Sequence, residues 1–437
     1  AAMNAYCEDY KTFLDKSRTE REAVRYTVQL AEARGYRPYH RGDALKPGDK
    51  IYRVNRDKAV MLAVMGTEPL DKGVNIGAAH IDAPRLDLKP NPLIEDSEFA
   101  LLKTHYYGGI RKYHWVSIPL SLRGVVVKRD GTKVDVVIGG EPGDPLLTIP
   151  DLLPHLADKQ AKEPLWQAIK GEDLNILVGS EPYPDPDEKD AVKLMVLDIL
   201  NQKYGMVEED FLSAELCAVP AYPVADVGLD RSMIGSYGQD DRVCSFAALQ
   251  GLFDAEETLK RTGVCMLVDK EEIGSEGVSG MQSWAFDTFL SDLCDATGAS
   301  LKSCYEHSFC LSADVTAAFD PNFAEVYEKH NAARLNRGVG LCKYTGARGK
   351  SGASDASAEV VGYVRKLFND NGILWQLSEM GKVDVGGGGT VALYMANRNI
   401  DTIDAGTPVL AMHSPFEVTG KLDCYMTYRS MKAVFEA

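Results

Sequence analysis

The segments VNIGAAHID (residues 74–82) and VCMLVDKEE (residues 264–272) are apolar runs that each end in side chains able to bind metal. Short apolar runs of this kind are typical of strands buried in a parallel sheet. The first run leads into His80 and Asp82, and the second leads into two adjacent glutamates. Because ligands bind at the carboxyl ends of strands in open α/β sheets, these side chains mark a candidate site.

Two further apolar runs end in the same residue types. FCLSAD places Asp314 after a strand, and PVLAMH places His413 after another. Asp240, in GSYGQDDRVCSF, lies where a loop meets a predicted helix. We therefore expect four strands to deliver metal-binding groups to one edge of a sheet. Imidazole plus carboxylate, without paired cysteines, is the ligand set of catalytic rather than structural zinc.

The number of ligands indicates two metal ions. Five ligands suffice for two divalent ions if one carboxylate bridges them. Asp82 is placed to accept the second ring N–H of His80 and so fix its tautomer. Only one of the adjacent glutamates need bind metal, so the other can serve as general base. The candidate ligands are His80, Asp240, one of Glu271 and Glu272, Asp314 and His413.

Each motif alone has an ordinary structural explanation. Paired aspartates before a helix are common N-terminal caps, a Glu-Glu pair is usually a solvated loop, and a histidine ending an apolar strand can belong to the core. The joint placement of these groups at four strand ends is what favours a metal site.

A glycine-rich segment, DVGGGGT at residues 384–390, opens a predicted helix. Glycine allows close backbone approach, so Gly388 and Gly389 could donate N–H groups to a substrate, and a plain loop is the alternative. The segment YTGARGKS resembles a phosphate loop, but Tyr344 stands where that motif requires glycine. A nucleotide-binding loop is therefore excluded there.

The first half of the chain predicts a helix, then strands, then a β-rich region. Residues 6–34 have helical spacing of apolar residues and are followed by a glycine. Beyond about residue 92, two apolar runs flank Asp130 and Gly131, which predicts a hairpin. The acidic, proline-rich segment EPYPDPDEKD at residues 181–190 predicts a mobile loop.

From about residue 225 onward, helices and strands alternate, including a helix that we expect to be capped by Ser354. This order predicts an α/β sheet with helices on both faces. We therefore predict one discontinuous α/β domain, residues 1–91 and 225–437, interrupted by a β-rich insertion, residues 92–224.

Composition excludes several classes of protein. The 437 residues include 48 Lys plus Arg and 64 Asp plus Glu, a formal net charge of −16. This charge opposes broad contact with nucleic acid or anionic membranes, so we expect neither partner. The nine cysteines include no C-x-x-C pair, and no apolar run approaches the length of a membrane span. We expect a cytoplasmic enzyme without an export signal.

Five motifs, in this order, resemble one known family. They are AAHIDAPRLDLKP, GQDDR, DKEEIGSEG, SADVTAAFDPNF and AMHSPFE. Together they resemble the aspartyl-aminopeptidase family of dinuclear zinc metallo-aminopeptidases, over nearly the whole chain. The resemblance implies a phosphorylase/hydrolase-like mixed sheet flanked by helices, with an inserted β-rich dimerisation domain.

The resemblance also implies roles for the site residues. Glu271 is implied to be the general base, and Asp82 to orient the histidine ligand. A non-proline cis peptide bond is implied between Asp240 and Asp241. Zinc is expected, and cobalt or manganese could occupy such a site as well. The implied ligands are His80 and Asp314 for one ion, Glu272 and His413 for the other, and Asp240 as the bridge.

The family's substrates and assembly supply further expectations. Its members remove single residues from peptide N-termini, preferring Asp or Glu, and their dimers assemble into tetrahedral dodecamers through the insertion. Lys343 matches a position where a family lysine can meet an acidic side chain. The insertion departs from the family pattern at Ile118 and Asp151. Action on neutral N-terminal residues and amide deacylation therefore stay open as alternatives, and a non-catalytic assembly protein is a remote one.

Overall fold

The structure is a computed structural model that describes residues 1–184 and 189–437. Helices and strands alternate along much of the chain, in a mixed α/β fold. The strands are β1 (Arg37–Pro38), β2 (Lys50–Asn55), β3 (Ala59–Val64), β4 (Asn75–His80), β5 (Arg85–Asp96), β6 (Phe99–Tyr107), β7 (Leu120–Val127), β8 (Lys133–Ile138), β9 (Ile176–Gly179), β10 (Ala214–Pro220), β11 (Ala225–Val227), β12 (Met233–Ser236), β13 (Gly263–Val268), β14 (Phe309–Ser312), β15 (Thr316–Ala317), β16 (Val339–Cys342), β17 (Trp375–Leu377), β18 (Asp401–Gly406), β19 (Pro408–Leu410) and β20 (Glu417–Gly420). The α-helices are α1 (Ala2–Lys16), α2 (Glu20–Glu32), α3 (Leu165–Ala168), α4 (Ala191–Tyr204), α5 (Gln239–Phe253), α6 (Ala285–Thr297), α7 (Leu301–Glu306), α8 (Ala358–Asp370), α9 (Ala392–Ala396) and α10 (Lys421–Phe435).

The chain forms two compact units. The larger unit comprises Ala1–Ala83, Val224–Met412 and Phe416–Ala437, and the smaller comprises Pro84–Pro223 and His413–Pro415. The smaller unit thus begins several residues before position 92, where the sequence predicted the insertion to start. The two limits differ because β5 continues through Pro90 and Pro92, and prolines interrupt the strand pattern that the sequence shows. The register of β5 with β6 shifts between Leu88 and Leu93, which is where these prolines lie.

The larger unit is built on a nine-stranded sheet with the order β1-β2-β3-β13-β4-β14-β18-β16-β17. Its centre is parallel: β13 pairs with β4, β4 with β14, and β14 with β18 in parallel register. Strands β3, β4, β13 and β14 are buried along their whole length. Burial on both faces explains why their sequences are continuous apolar runs rather than alternating ones.

Helices cover this sheet, and a second sheet completes the larger unit. Helices α5 and α10 pack on each other and on β4. The second sheet has five strands in the order β11-β12-β20-β19-β15. One apolar core cluster includes α1, α2, α5, α8 and α10 residues, so these helices are held by shared burial rather than by isolated contacts.

The smaller unit contains a six-stranded antiparallel sheet with the order β8-β7-β10-β5-β6-β9. The hairpin predicted around Asp130 and Gly131 is confirmed, since β7 pairs with β8 and Gly131 has a φ of +84°. Such a φ suits glycine, which lacks the Cβ that strains other residues there. The predicted acidic loop at residues 181–190 lies partly outside the described residues.

Three local predictions need correction. The single N-terminal helix predicted over residues 6–34 is two helices, because Thr19 caps α2 in a capping box with Glu22. The helix predicted to start at Ser354 is α8, and its N-cap is Ser357, whose Oγ accepts from Val360 N at 3.3 Å. Strand β18 was not predicted, because DTIDAG is too polar to read as a central strand.

Within the described residues, no helix is both long enough and apolar enough to cross a bilayer.

Candidate metal centre

Three of the four predicted strand ends meet at one edge of the nine-stranded sheet. Val268 at the end of β13 is in register with His80 at the end of β4, and β14 runs parallel on the other side of β4. The residues that follow these strands, Glu271 and Asp314, therefore emerge beside His80. The prediction of a shared edge is confirmed for these three strands.

The fourth strand end lies elsewhere. Strand β19, which precedes His413, belongs to the five-stranded sheet, and β18 occupies the place beside β14. His413 has a φ of +66°, and its Nδ1 lies 2.8 Å from the carbonyl oxygen of Gly109. The prediction that His413 leaves the same sheet as the other groups is wrong, because the polar strand β18 was missed.

His80 is the centre of the cluster. It is 1% exposed, and its Nε2 lies 3.1 Å from Asp240 Oδ1, 3.7 Å from Glu271 Oε2 and 3.8 Å from Asp314 Oδ1. The other ring nitrogen, Nδ1, lies 3.1 Å from Asp82 Oδ1. One nitrogen thus faces Asp82, and the other faces three carboxylates.

Asp82 connects the two strand ends. Besides its contact with His80, its Oδ1 accepts the backbone N–H of Glu271 at 3.2 Å, and its Oδ2 accepts that of Glu272 at 3.2 Å. Asp82 is fully buried. A single carboxylate therefore fixes the histidine ring and the backbone of both glutamates, which is the way that outer groups orient metal ligands.

Asp240 and Asp241 lie at the start of α5 but depart from helical geometry. Their φ and ψ angles are −80° and 104°, and −122° and 34°, and the peptide bond between them is cis, as predicted. The backbone N–H of His80 faces Asp241 Oδ2 at 3.4 Å. The sequence predicted Asp241 as a helix cap and as one side of the cis bond, but not as a member of a ligand group; its position next to a candidate ligand was the available signal.

Two groups of three side chains have ligand atoms close enough to share a metal ion. In each group the ligand atoms lie within 4.8 Å of one another. His80 belongs to both groups. The first group is His80, Asp240 and Glu272, and the second is His80, Asp241 and Asp314.

The cluster is electrostatically crowded. Burial raises the pKa of Glu271 well above its ordinary value, and the nearby charge of Asp314 raises it further. Burial likewise raises the pKa of Asp241, with Asp314 again adding to the effect. Burial alone would lower the pKa of His80, but hydrogen bonds to Asp240, Asp314 and Asp82 raise it well above the ordinary value.

This donor set fits a divalent metal ion. Carboxylates that repel one another in a buried site are stabilised by a bound cation, and an imidazole nitrogen with carboxylate oxygens is a common zinc ligand set. The buried positions of His80, Asp240 and Asp82 also exclude water around the ligands. The residues present therefore offer a group of ligand atoms that a metal ion could share.

The predicted substrate-binding residues lie on two neighbouring loops. Lys343 is about half exposed, and its Nζ lies 4.0 Å from Asp355 Oδ1. The carbonyl oxygen of Gly388 accepts the N–H of Gly346 at 2.6 Å, and a Cβ on Gly387 would lie 2.2 Å from Gly346 O. Gly389 lies in the same loop, and α9 begins only at Ala392. The glycines thus allow two backbone segments to touch.

Comparison with known proteins defines the class. A family model described as aminopeptidase I zinc metalloprotease (M18) matches residues 13–435. A probable M18 family aminopeptidase 1 from Clostridium acetobutylicum is 46% identical over 432 residues, which cover 97% of this chain and 93% of that protein. The protein is therefore a metallo-aminopeptidase, a hydrolase of peptide bonds. The chain belongs to the M18 family of zinc metalloproteases, as the motifs predicted.

Solved structures agree with this fold. The crystal structure of an M18 family aminopeptidase from Thermotoga maritima has a TM-score of 0.96 and 44% identity, covering 100% of this chain and 96% of that one. A dodecamer of mApe1 from S. cerevesiae has a TM-score of 0.80 at 22% identity, covering 98% of this chain and 95% of that one. At that identity the second similarity shows the fold alone.

Proposed function

We propose that this aminopeptidase uses a dinuclear zinc centre to remove single N-terminal residues, with a preference for Asp and Glu. The observation that carries the proposal is the cluster of His80 with the carboxylates of Asp240, Glu272 and Asp314 at the edge of the nine-stranded sheet. In the proposed centre, His80 and Asp314 would hold one ion, Glu272 and His413 would hold the other, and Asp240 would be shared by both.

His413 is the ligand that rests most on family resemblance. Its Nδ1 contact with the Gly109 carbonyl supports the role, because a ring N–H that donates to a carbonyl fixes the tautomer and directs Nε2 to a metal. Gly109 lies in the YYGG segment of the smaller unit. A bulkier residue at position 109 would crowd the ring, since a Cβ there would lie 3.4 Å from His413 Nδ1.

Glu271 is proposed as the general base. Bound zinc ions would supply polarisation of the scissile carbonyl and a more acidic water. Glu271 Oε2 would accept a proton from the attacking water and pass it to the amine that leaves. The hydrogen bond from Glu271 N to Asp82 supports this role, because it holds the glutamate backbone while the side chain moves a proton.

Basic side chains support the preference for acidic substrates. Lys343, Arg348 and Lys350 lie on the loop after β16, close in sequence. Cations at this loop would attract an acidic side chain of a peptide despite the net charge of −16. The contact of Lys343 with Asp355 favours the alternative, a neutral N-terminal residue, because it offsets part of the lysine charge.

Oligomeric assembly is also part of the proposal. The related S. cerevesiae structure is a dodecamer. The smaller unit would serve as the inserted dimerisation domain, and the larger unit would be the phosphorylase/hydrolase-like catalytic domain. Large apolar side chains exposed on this unit support contact with other copies. They are Leu146, Leu152, Leu153, Leu156, Leu165 and Trp166.

A substrate panel tests the proposed function. Peptides with N-terminal Asp, Glu, Leu or Lys, and one with an acylated N-terminus, are assayed with metal-depleted protein and after zinc is restored. We expect cleavage of free N-termini only after metal is restored, fastest for Asp and Glu. Faster cleavage of Leu peptides would support neutral specificity, and cleavage of the acylated peptide alone would support a deacylase.

A lysine substitution separates the two peptide specificities. Lys343→Gln should lower kcat/KM for the Asp peptide by about tenfold or more and leave the Leu peptide unchanged, because it removes a charge that only acidic substrates meet. Lys366→Gln, on the exposed face of α8, is the matched control. An equal loss for both peptides would contradict the proposed specificity role of Lys343.

A further inference from the structure

The backbone of Asp240 is held by a buried carboxylate outside the metal cluster. Asp240 N donates to Glu417 Oε2 at 3.0 Å, and Glu417 is only 1% exposed. Glu417 is the first residue of β20 and lies in register with Ser236, the last residue of β12. The five-stranded sheet therefore places this carboxylate next to the turn that enters α5.

The residue before Asp240 is fixed in the same way. The side-chain amide of Gln239 donates through Nε2 to the carbonyl oxygens of Ile234 at 3.0 Å and Glu417 at 2.8 Å. Its Oε1 accepts from Tyr10 OH at 3.1 Å and from Thr419 Oγ1 at 2.6 Å. Gln239 is fully buried. Because all four hydrogen bonds of the amide are made, the side chain of Gln239 is fixed in one position.

These bonds fix a part of the backbone that the helix leaves free. Asp240 is the second residue of α5, where a backbone N–H has no acceptor within the helix, and its dihedral angles are non-helical. Its Oδ1 nevertheless lies 3.1 Å from His80 Nε2. A carboxylate that bridges two ions must be placed more accurately than one that binds a single ion, because it sets both metal positions at once.

We infer that Glu417 is a positioning residue for the metal centre: it accepts the backbone N–H of Asp240 and, with Gln239, holds the bridging carboxylate in place for both ions. The inference rests on the proposed dinuclear function. Glu417 is the last residue of the AMHSPFE motif. The sequence predicted a role for the histidine of this motif but none for its glutamate.

The test compares metal affinity in three variants of the full-length protein, with zinc as the probe. Glu417→Met removes the acceptor and leaves a buried N–H unpaired, so it should weaken zinc binding by about 10- to 100-fold. Glu417→Gln keeps an acceptor oxygen and should bind zinc within about threefold of wild type. Thr419→Val removes one bond to Gln239 with little change of shape and should weaken binding by about two- to tenfold.

A matched control separates positioning from stability. Asp423 is another fully buried carboxylate that accepts backbone N–H groups, from Asn336 and Gly338 at 2.7 Å each, at the start of α10. Asp423→Asn should lower the unfolding temperature of metal-free protein without changing zinc affinity. Equal zinc affinity in Thr419→Val and wild type, or equal losses in the Glu417→Gln and Glu417→Met proteins, would overturn the inference.

The outcome is separable from that of the proposed function. Wild-type protein that binds two ions, together with a folded Glu417→Met protein of unchanged affinity, would overturn the positioning role alone. Should Glu417→Met not fold, Thr419→Val and Glu417→Gln decide the question. Wild-type protein that binds fewer than two ions would overturn the dinuclear centre instead.

Discussion

At the residue scale, Asp82 shows how one buried carboxylate can organise a site. It faces the Nδ1 of His80 and accepts the N–H groups of Glu271 and Glu272. The sequence predicted its contact with the histidine, because the two residues are separated by one position on the same strand end. Its hydrogen bonds with the backbone of the two glutamates could not be predicted, because they depend on β13 and β4 being parallel neighbours.

Glu271 gives the sharpest test of a single residue. Glu271→Gln removes the proton acceptor but keeps the shape of the side chain and the backbone bond to Asp82, so we expect unchanged metal content and a loss of about 10²- to 10⁴-fold in kcat. Metal analysis and steady-state kinetics on one preparation measure both. Glu276→Gln, on the same loop and exposed, is the control. Turnover close to wild type would refute the role as general base.

Asp423 gives a pH prediction that does not involve the metal centre. Burial raises its pKa to about 7, although backbone N–H groups of Asn336 and Gly338 oppose the shift. The folded state therefore keeps a proton that the unfolded state loses above about pH 4, so Asp423 lowers stability as pH rises from about 4 to about 7.

Replacing Asp423 by Asn removes this titration. The free energy of unfolding of Asp423→Asn should fall less steeply over that pH range, by up to about 1.4 kcal/mol per pH unit. Denaturant unfolding of metal-free protein at several pH values measures the slope. Parallel pH profiles for the variant and wild type would show that Asp423 does not titrate in this range.

At the element scale, the sequence predicted the buried parallel strands well and the polar ones poorly. Strands β4, β13 and β14 are continuous apolar runs because both of their faces are covered. Strand β18 is equally central but begins with Asp401 and includes Asp404, whose carboxylate accepts from Thr390 Oγ1 at 3.0 Å. The hydrogen bond from Thr390, a residue outside β18, satisfies the buried carboxylate of Asp404. A local sequence pattern cannot predict such a partner.

The glycine loop supplies a prediction at this scale. Gly387 has a φ of +147°, and a Cβ there would lie 2.2 Å from Gly346 O and 2.5 Å from Ala347 Cα. Gly387→Ala should therefore push apart the loops around residues 346 and 387 and raise KM by roughly tenfold, with metal content unchanged. Gly349→Ala is the control, because its Cβ would meet nothing within 4 Å. A KM equal to that of wild type in Gly387→Ala would show that these loops do not contribute to substrate binding.

At the scale of the whole molecule, the discontinuous α/β domain at residues 1–91 and 225–437 stays a prediction, and the limits of the two compact units differ from it by several residues. The larger unit combines segments from both ends of the chain. Strand β4 from the first part pairs with β13, and the C-terminal helix α10 packs on α5. The assignment of His413–Pro415 to the smaller unit could not be foreseen, since it depends on contacts with residues distant in sequence, such as the carbonyl of Gly109.

The net charge of −16 acquires a more specific meaning at this scale. Part of it lies in buried carboxylates around His80, which a pair of divalent cations would compensate. Metal removal should therefore destabilise the fold by leaving those carboxylates to repel one another, and added zinc should raise the unfolding temperature in proportion to its binding.

The central claim is that this buried cluster binds two metal ions. The most direct measurement is the number of zinc ions per chain, by elemental analysis of protein that has been stripped with chelator, reconstituted with zinc and freed of excess metal. The proposed centre predicts two ions per wild-type chain and the loss of at least one zinc ion in His80→Ala, since His80 would hold one of the two ions. One ion or fewer in the wild-type protein, or two ions retained in His80→Ala, would contradict the account.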